Sequence, residues 1–439
     1  MKNYLSSEHC YCGKAHNATI DEIIIEKGAV QRLPELIKKY SSKKPFILAD
    51  LNTYEVAGKY VADILNREHI PYSEYIFKDK SLEPDEKAVG SAVMHFDTSC
   101  DLIIGVGSGV INDIGKIISN ISQRKYFIVG TASSMDGYAS STSSMSLDGL
   151  KVSVPSRCAD VIIGDVDILK NAPEQMLKAG LGDMLAKYIS IAEWRISNIV
   201  TGEYYCEQVA QLIRSALKKC VDNAQGVMKR EEAAIQAVFE GLVISGVAMA
   251  YAGVSRPASG IEHYFSHVWD MRGLEFGTRV DLHGIQCAVA TMKTVELYEK
   301  IKSVSPDRQK AYTAVAAFDY DNWSEQLRSF LGKSGKTMIL QEQKEKKYDE
   351  TTHPERFQKI CDNWDEILKI IQEEIPSEFT LGQILDTIGI PLELSALGVD
   401  TQCAQLTFKA TKDIRDKYIL SRLAWDLGVL DELADTLST

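Results

Sequence analysis

Three of the eight histidines in this chain of 439 residues fall within 21 positions: His263 and His267 in GIEHYFSHVW, and His283 in DLHGIQC. His263 and His267 are four apart, so a helix over that segment projects both from one face. Upstream, GLGDMLAK places Asp183 where a short glycine turn is expected to meet the start of a helix. One carboxylate and two imidazoles hold a divalent metal and still leave a position for a substrate oxygen, as catalytic zinc sites do. Taken singly, each is an ordinary polar residue of a turn or helix end. Concentrated in a histidine-poor chain, the set favours a metal.

A second group, His9, Cys10, Cys12 and His16 in HCYCGKAH, has ligands for a soft metal. No second cysteine pair follows at zinc-ribbon spacing, and the segment precedes the first core strand. It is expected to be an exposed or lightly packed lead-in.

The third feature is LIIGVGSGVINDIGK, which sets Gly105, Gly107 and Gly109 directly after a strand and directly before a helix. Glycines there let the backbone approach a pyrophosphate, and the helix N-terminus favours its charge. The run follows an earlier βα unit, which departs from the usual dinucleotide fingerprint. Asp50, closing the strand-like PFILAD, has two readings: an acceptor for a ribose hydroxyl, or the N-cap of the helix that follows. In the first, its charge would repel the extra phosphate of NADP and favour NAD.

These residues need rigid elements to hold them. Residues 17 to 170 alternate short apolar runs (PFILAD, YSEYIF, DLIIGVG, KYFIVGTA, ADVIIGD) with helical patterns, which predicts a mainly parallel sheet covered on both faces. The stretch TASSMDGYASSTSSMSLDGLKVSVPS interrupts them and reads as a functional loop or hairpin pair. After about residue 168 the apolar period becomes helical, with Pro173 placed for a first helical turn. The expected organisation is an α/β dinucleotide-binding domain with a Rossmann-like sheet over 1–168, then an all-α metal- and substrate-binding domain over 169–439. Residues 325 to 360, polar and lysine-rich, are expected to form a surface excursion or exposed helix.

Composition narrows the class. Apolar residues at 45% and charged residues at 25% describe an ordered globular chain. A net charge of -12 disfavours nucleic acid or anionic lipid as partner. The nine cysteines are irregularly spaced, which favours a reducing compartment over a disulfide framework. The N-terminus lacks the apolar core of a signal peptide. The greasiest run, FEGLVISGVAMAYAGV, is short for a membrane span. A soluble cytoplasmic protein is expected.

With these motifs in place, a likeness emerges. GVGSGVINDIGK, TASSMDGYAS, GLGDMLAK with SRPASGIEHYFSH, and LHG occur in the order found in the metal-dependent group of glycerol dehydrogenases, iron-containing alcohol dehydrogenases and dehydroquinate synthases. Within it the chain most resembles sn-glycerol-1-phosphate dehydrogenases, the SRPASG-x-EH string being the most specific mark, and HCYCGKAH with the extended C-terminal region resembles the bacterial branch. The resemblance runs from about residue 20 to residue 300 and implies a dehydroquinate synthase-like fold. It assigns the metal to Asp183, His263 and His283. It assigns the dinucleotide to Gly107, Ser108 and Gly109, with Val110 and Ile111 following, and to Thr131, Ser134 and Ser140 on the nicotinamide side. Asp136 and His267 become substrate contacts. Ser108 departs from the archaeal pattern, which has a third glycine there.

The implied reaction is reversible, NAD(P)-linked reduction of dihydroxyacetone phosphate to sn-glycerol 1-phosphate, with Ni2+ or Zn2+ and a homodimeric assembly. Lys187, four residues after Asp183, and Arg256 are candidates for the substrate phosphate. A glycerol dehydrogenase-like activity on unphosphorylated polyols and a dehydroquinate synthase-like cyclisation are the alternatives. Against the second, Asp183 stands where that branch has glutamate.

Overall fold

The runs EIIIE, PFILAD, SEYIF, LIIGVG, KYFIVG and VIIGD are too short to be helices, and most are rich in β-branched side chains; each is a strand. The computed structural model describes residues 6–7, 10–79, 81–147 and 150–438. Strands β1 (Glu22–Glu26), β2 (Pro45–Asp50), β3 (Ser73–Phe77), β4 (Leu102–Gly107), β5 (Lys125–Gly130) and β8 (Val161–Asp165) form one sheet in the order β1-β8-β5-β4-β2-β3. Every pairing is parallel. Side chains on both faces are buried: Leu102, Ile104 and Val106 of β4 on one, Ile103 on the other. That is why these strands read as continuous apolar runs and do not alternate. Between β5 and β8 the serine-rich stretch forms the antiparallel hairpin β6 (Thr142–Leu147) and β7 (Leu150–Pro155).

Sheet order matters for function. From β2 the chain crosses to one side to make β3, then returns to the other side of β2 to make β4. The reversal opens a crevice at the carboxyl ends of β2 and β4, where open α/β sheets bind ligands. Asp50 ends β2 and Gly107 ends β4.

After Asp165 the chain is helical throughout, as far as described. It packs as two compact units: Met1–Met184 with Gln208–Val254, and Leu185–Glu207 with Ser255–Thr439. The first holds the sheet, the hairpin, helix α1 (Gly109–Ser122), all but the last residue of α2 (Glu174–Leu185), and α4 (Glu232–Ala252). The second is built from helices, among them α3 (Lys187–Thr201), α5 (Ile261–Phe276), α6 (His283–Ile301) and α7 (Tyr320–Glu345).

One helix went unread, and three local expectations change. The polar stretch after β3 contains a helix, Glu86–His95, capped by Asp85; it was hard to see because only Ala88 and Ala92 are buried along it. Helix α7 is not a plain exposed excursion: Leu327, Phe330, Leu331, Met338 and Ile339 are buried, and the chain kinks at Gly332. The greasy run, up to Ala252, lies in the 21-residue α4, long and apolar enough to cross a membrane, yet 72% of its most apolar window is buried inside the protein. The cysteine-containing lead-in is anchored, for His16 is only 1% exposed. His9 lies outside the described residues. None of the nine cysteines is joined in a disulfide.

Candidate functional site

In the first unit, Gly107, Ser108 and Gly109 turn the chain from β4 into α1. A side chain at 107 would bring its Cβ to 2.6 Å from Ile111, so glycine alone fits there. Ser108 sits at φ -109°, a value any residue adopts, and the serine costs the turn nothing. The first amides of α1, at Gly109, Val110 and Ile111, have no partner within the helix and face its N-terminal end, where the helix dipole favours phosphate. Thr131 donates its amide to the Gly107 carbonyl at 3.1 Å, tying the loop after β5 to this turn.

Asp50 caps the helix after β2: its Oδ1 accepts from the amides of Asn52 and Thr53 at 2.8 and 2.9 Å. The N-cap reading is therefore seen, and any contact with a ribose would be made by a carboxylate already so held. If that contact exists, Asp50→Asn keeps the capping oxygen but removes the charge. Relative efficiency with NADPH over NADH should then rise about tenfold, the equivalent of about 1.4 kcal/mol. An unchanged ratio would leave Asp50 a cap only.

The loop after β5 carries Ser134, Asp136 and Ser140. It is pinned from α1: Asn112 Nδ2 donates to the Gly137 carbonyl at 3.0 Å, and the fully buried Lys116 ammonium donates to the carbonyls of Gly137 and Thr142. Ser140 Oγ is engaged with Thr142. Asp136 Oδ2 accepts from Ser245 of α4 at 2.8 Å. Its amide donates to Asp183 Oδ2 at 3.0 Å, and the two carboxylates lie within 4.8 Å of each other. Asp183 is wholly buried. Two acids this close, one without solvent, can hold a divalent cation between them.

Asp183 does not follow a glycine turn; Gly180 and Gly182 are inside α2. The reason is close packing. A Cβ on Gly180 would lie 1.9 Å from the Ser133 carbonyl oxygen, a backbone atom that cannot swing aside. Gly180→Ala must push α2 off the 131–136 loop and carry Asp183 with it. We expect a loss of about 1–3 kcal/mol in stability and roughly 100-fold in turnover. Wild-type melting and turnover in this variant would contradict the packing argument.

In the second unit, α5 presents His263 and His267 one turn apart, and α6 begins at His283. The His263 and His283 rings are 5.0 Å apart between centroids, and His267 stacks on His283 at 5.9 Å. His263 Nδ1 is bonded to Glu262 Oε1 at 2.7 Å and His283 Nδ1 to Ser266 Oγ at 2.8 Å. With both Nδ1 atoms engaged, each ring presents Nε2 as its ligand atom, the arrangement by which carboxylates and hydroxyls orient metal-binding imidazoles. Glu262 Oε1 also accepts from the Gly260 amide. Beside it, burial and the charge of Glu262 push Glu193 well above the usual carboxylate range, so the two acids do not compete as like charges.

A sequence pattern of the iron-containing alcohol dehydrogenases matches residues 24–173. The glycerol-1-phosphate dehydrogenase (NAD(P)+) of Halalkalibacterium halodurans is 34% identical over 297 residues, covering 67% of this chain and 74% of that one. The enzyme of that name from Bacillus licheniformis is 33% identical, covering 70% and 77%. The chain belongs to the glycerol-1-phosphate dehydrogenase family. Solved structures agree on the fold: a glycerol dehydrogenase of Schizosaccharomyces pombe superposes with a TM-score of 0.62 at 16% identity, covering 98% of this chain and 92% of its own. An iron-containing alcohol dehydrogenase of Thermococcus thioreducens gives 0.60 at 12%, covering 96% and 100%.

Two residues stand differently from the sequence reading. Arg256 is consumed by structure: Nε and Nη2 bind Glu203, Nη2 also meets Ser197 Oγ, and Nη1 donates to the Tyr418 carbonyl. At 1% exposure it has no face left for a phosphate. Lys187 is fully buried as the first residue of α3, and Ala186 stands between α2 and α3.

Other residues went unread. Cys287, one turn after His283, brings Sγ to 3.5 Å from His283 Nε2 and forms a compact donor group with His263 and His283. Burial raises its pKa, but the two imidazoles outweigh that and the net shift is downward. The i, i+4 spacing of His283 and Cys287 was the available signal. Glu262 sat in the EH dipeptide. Lys417, buried under the SRPASG turn, donates to the Ser259 carbonyl at 2.8 Å; burial, then Arg256 and Arg415, push it down to about 7. Nothing in its own segment announces that role.

Proposed function

We propose that this chain reversibly reduces dihydroxyacetone phosphate to sn-glycerol 1-phosphate with NAD(P)H and one divalent metal. The observation that carries the reading is the pair His263 and His283, each oriented through Nδ1, in a chain of this family. Asp183 supplies the third ligand. The donors fit: the imidazole of His263 with Nδ1 bonded to a carboxylate, the imidazole of His283 oriented by a hydroxyl, and a buried carboxylate beside a second acid. Ni2+ and Zn2+ both suit such a set.

When bound, the metal supplies a Lewis acid to the ketone oxygen and the nicotinamide supplies the hydride. The chain does the rest. Gly107, Ser108 and Gly109, with the amides of Val110 and Ile111, receive the pyrophosphate. Thr131, Ser134 and Ser140 line the nicotinamide side, and Asp50 meets the ribose. Asp136, held by Ser245, positions a substrate hydroxyl. His267 moves a proton to or from the oxygen that becomes the secondary alcohol. Lys187 faces the phosphate. The working form is a cytoplasmic homodimer acting on a small phosphorylated substrate.

After metal reconstitution, NADH oxidation should be far faster with dihydroxyacetone phosphate than with dihydroxyacetone. Equal rates would favour a polyol dehydrogenase, and absence of net NADH consumption a cyclase.

A further inference from the structure

The first unit contains a second group of metal-binding side chains, remote in sequence from those assigned above. Cys10 Sγ, Cys12 Sγ and a ring nitrogen of His16 lie within 4.8 Å of one another. The convergence is built by the backbone. Gly13 donates its amide to the Cys10 carbonyl at 3.0 Å, closing a tight turn, and adopts φ 80°, a conformation that favours glycine. This turn brings the thiols at i and i+2 to one side.

The histidine is prepared as a ligand. Its ring is buried and stacks on Tyr251 at 5.4 Å between centroids. Nδ1 lies 3.1 Å from the Tyr251 carbonyl, which can only accept, so Nδ1 carries the proton and Nε2 carries the lone pair. Nε2 is 3.3 Å from Cys12 Sγ. A tetrahedral zinc with bonds of about 2.3 Å to sulfur and about 2.0 Å to nitrogen sets those two atoms roughly 3.5 Å apart. A backbone carbonyl fixing the outer nitrogen of a ligand histidine is the usual support for such sites.

We infer that Cys10, Cys12 and His16 bind a structural zinc ion. Two thiolates neutralise its charge, and the remaining tetrahedral position is left for one further donor. The ion clamps the segment Cys10–His16 and, through His16, fixes it to the carboxyl end of α4, the helix that also supplies Ser245 to Asp136. The competing explanation is an ordinary thiol-to-imidazole hydrogen bond between Cys12 and His16 with no metal.

The experiment uses the full-length chain with the other metal set removed. A His263→Ala/His283→Ala variant purified in the presence of Zn2+ should retain one zinc per chain by elemental analysis, and adding Cys10→Ser/Cys12→Ser should abolish it. With Co2+ in place of zinc, the first variant should show a thiolate-to-cobalt charge-transfer band that Cys10→Ser/Cys12→Ser removes. The unaltered chain provides a reading that does not depend on folding of variants: Cys10 and Cys12 should resist alkylation until a chelator is added. No zinc in the His263→Ala/His283→Ala chain, zinc retained after loss of both cysteines, or alkylation unaffected by chelator would each overturn the site.

Discussion

Replacing His263 with alanine should leave the chain with one metal ion fewer and turnover reduced by about 10³-fold or more. The Lewis acid contributes several kcal/mol to stabilising charge on the substrate oxygen, and every 1.36 kcal/mol is a factor of ten. His263 is 5% exposed and its Nδ1 is fixed by Glu262, so on the proposed assignment truncation removes a ligand that the fold had already oriented. Glu262→Gln separates ligand from support. It should weaken metal affinity about 10–100-fold while leaving saturable activity at high metal. Elemental analysis and metal titration of both variants check this. Full metal content in His263→Ala would remove the residue from the coordination set.

His267→Ala should do the opposite, keeping the metal while turnover falls about 10²–10⁴-fold, the range for loss of a positioned proton donor. His267 shares the α5 face with His263 and stacks on His283, yet it is assigned to substrate. The pH profile discriminates: the limb reporting an imidazole should vanish with the residue. Metal loss equal to that of His263→Ala would make His267 a ligand and overturn the division of labour.

What could be read from the chain beforehand follows from what its signals encode. The four inner strands, buried on both faces, announce themselves as apolar runs and were legible, as were the glycine turn at Gly107 and the helical pairing of His263 with His267. Helical period marks a buried face but is silent on what covers it. That is why nothing in residues 208–254 said that they pack with the sheet's unit, and why the buried side of α7 was missed under its lysines. The supports of the site were hidden for a related reason. Glu262, Ser266 and Lys116 act through contacts set by tertiary packing, and a buried lysine looks on paper like a surface one. Arg256 shows the converse: a cation in a motif invites a ligand, until its partners Glu203, Ser197 and Tyr418 are seen. Gly180 was read as a turn because nothing in GLGD tells a bend from a helix that must approach the Ser133 carbonyl.

The central claim is most directly tested in the oxidative direction. The metal-reconstituted chain is given NAD+ and, separately, sn-glycerol 1-phosphate, sn-glycerol 3-phosphate and glycerol, and formation of NADH is followed by absorbance. The account predicts rapid NADH formation with sn-glycerol 1-phosphate, abolished by His263→Ala, and little with the other two. Turnover of glycerol equal to that of the 1-phosphate, or a preference for the 3-phosphate, would contradict it.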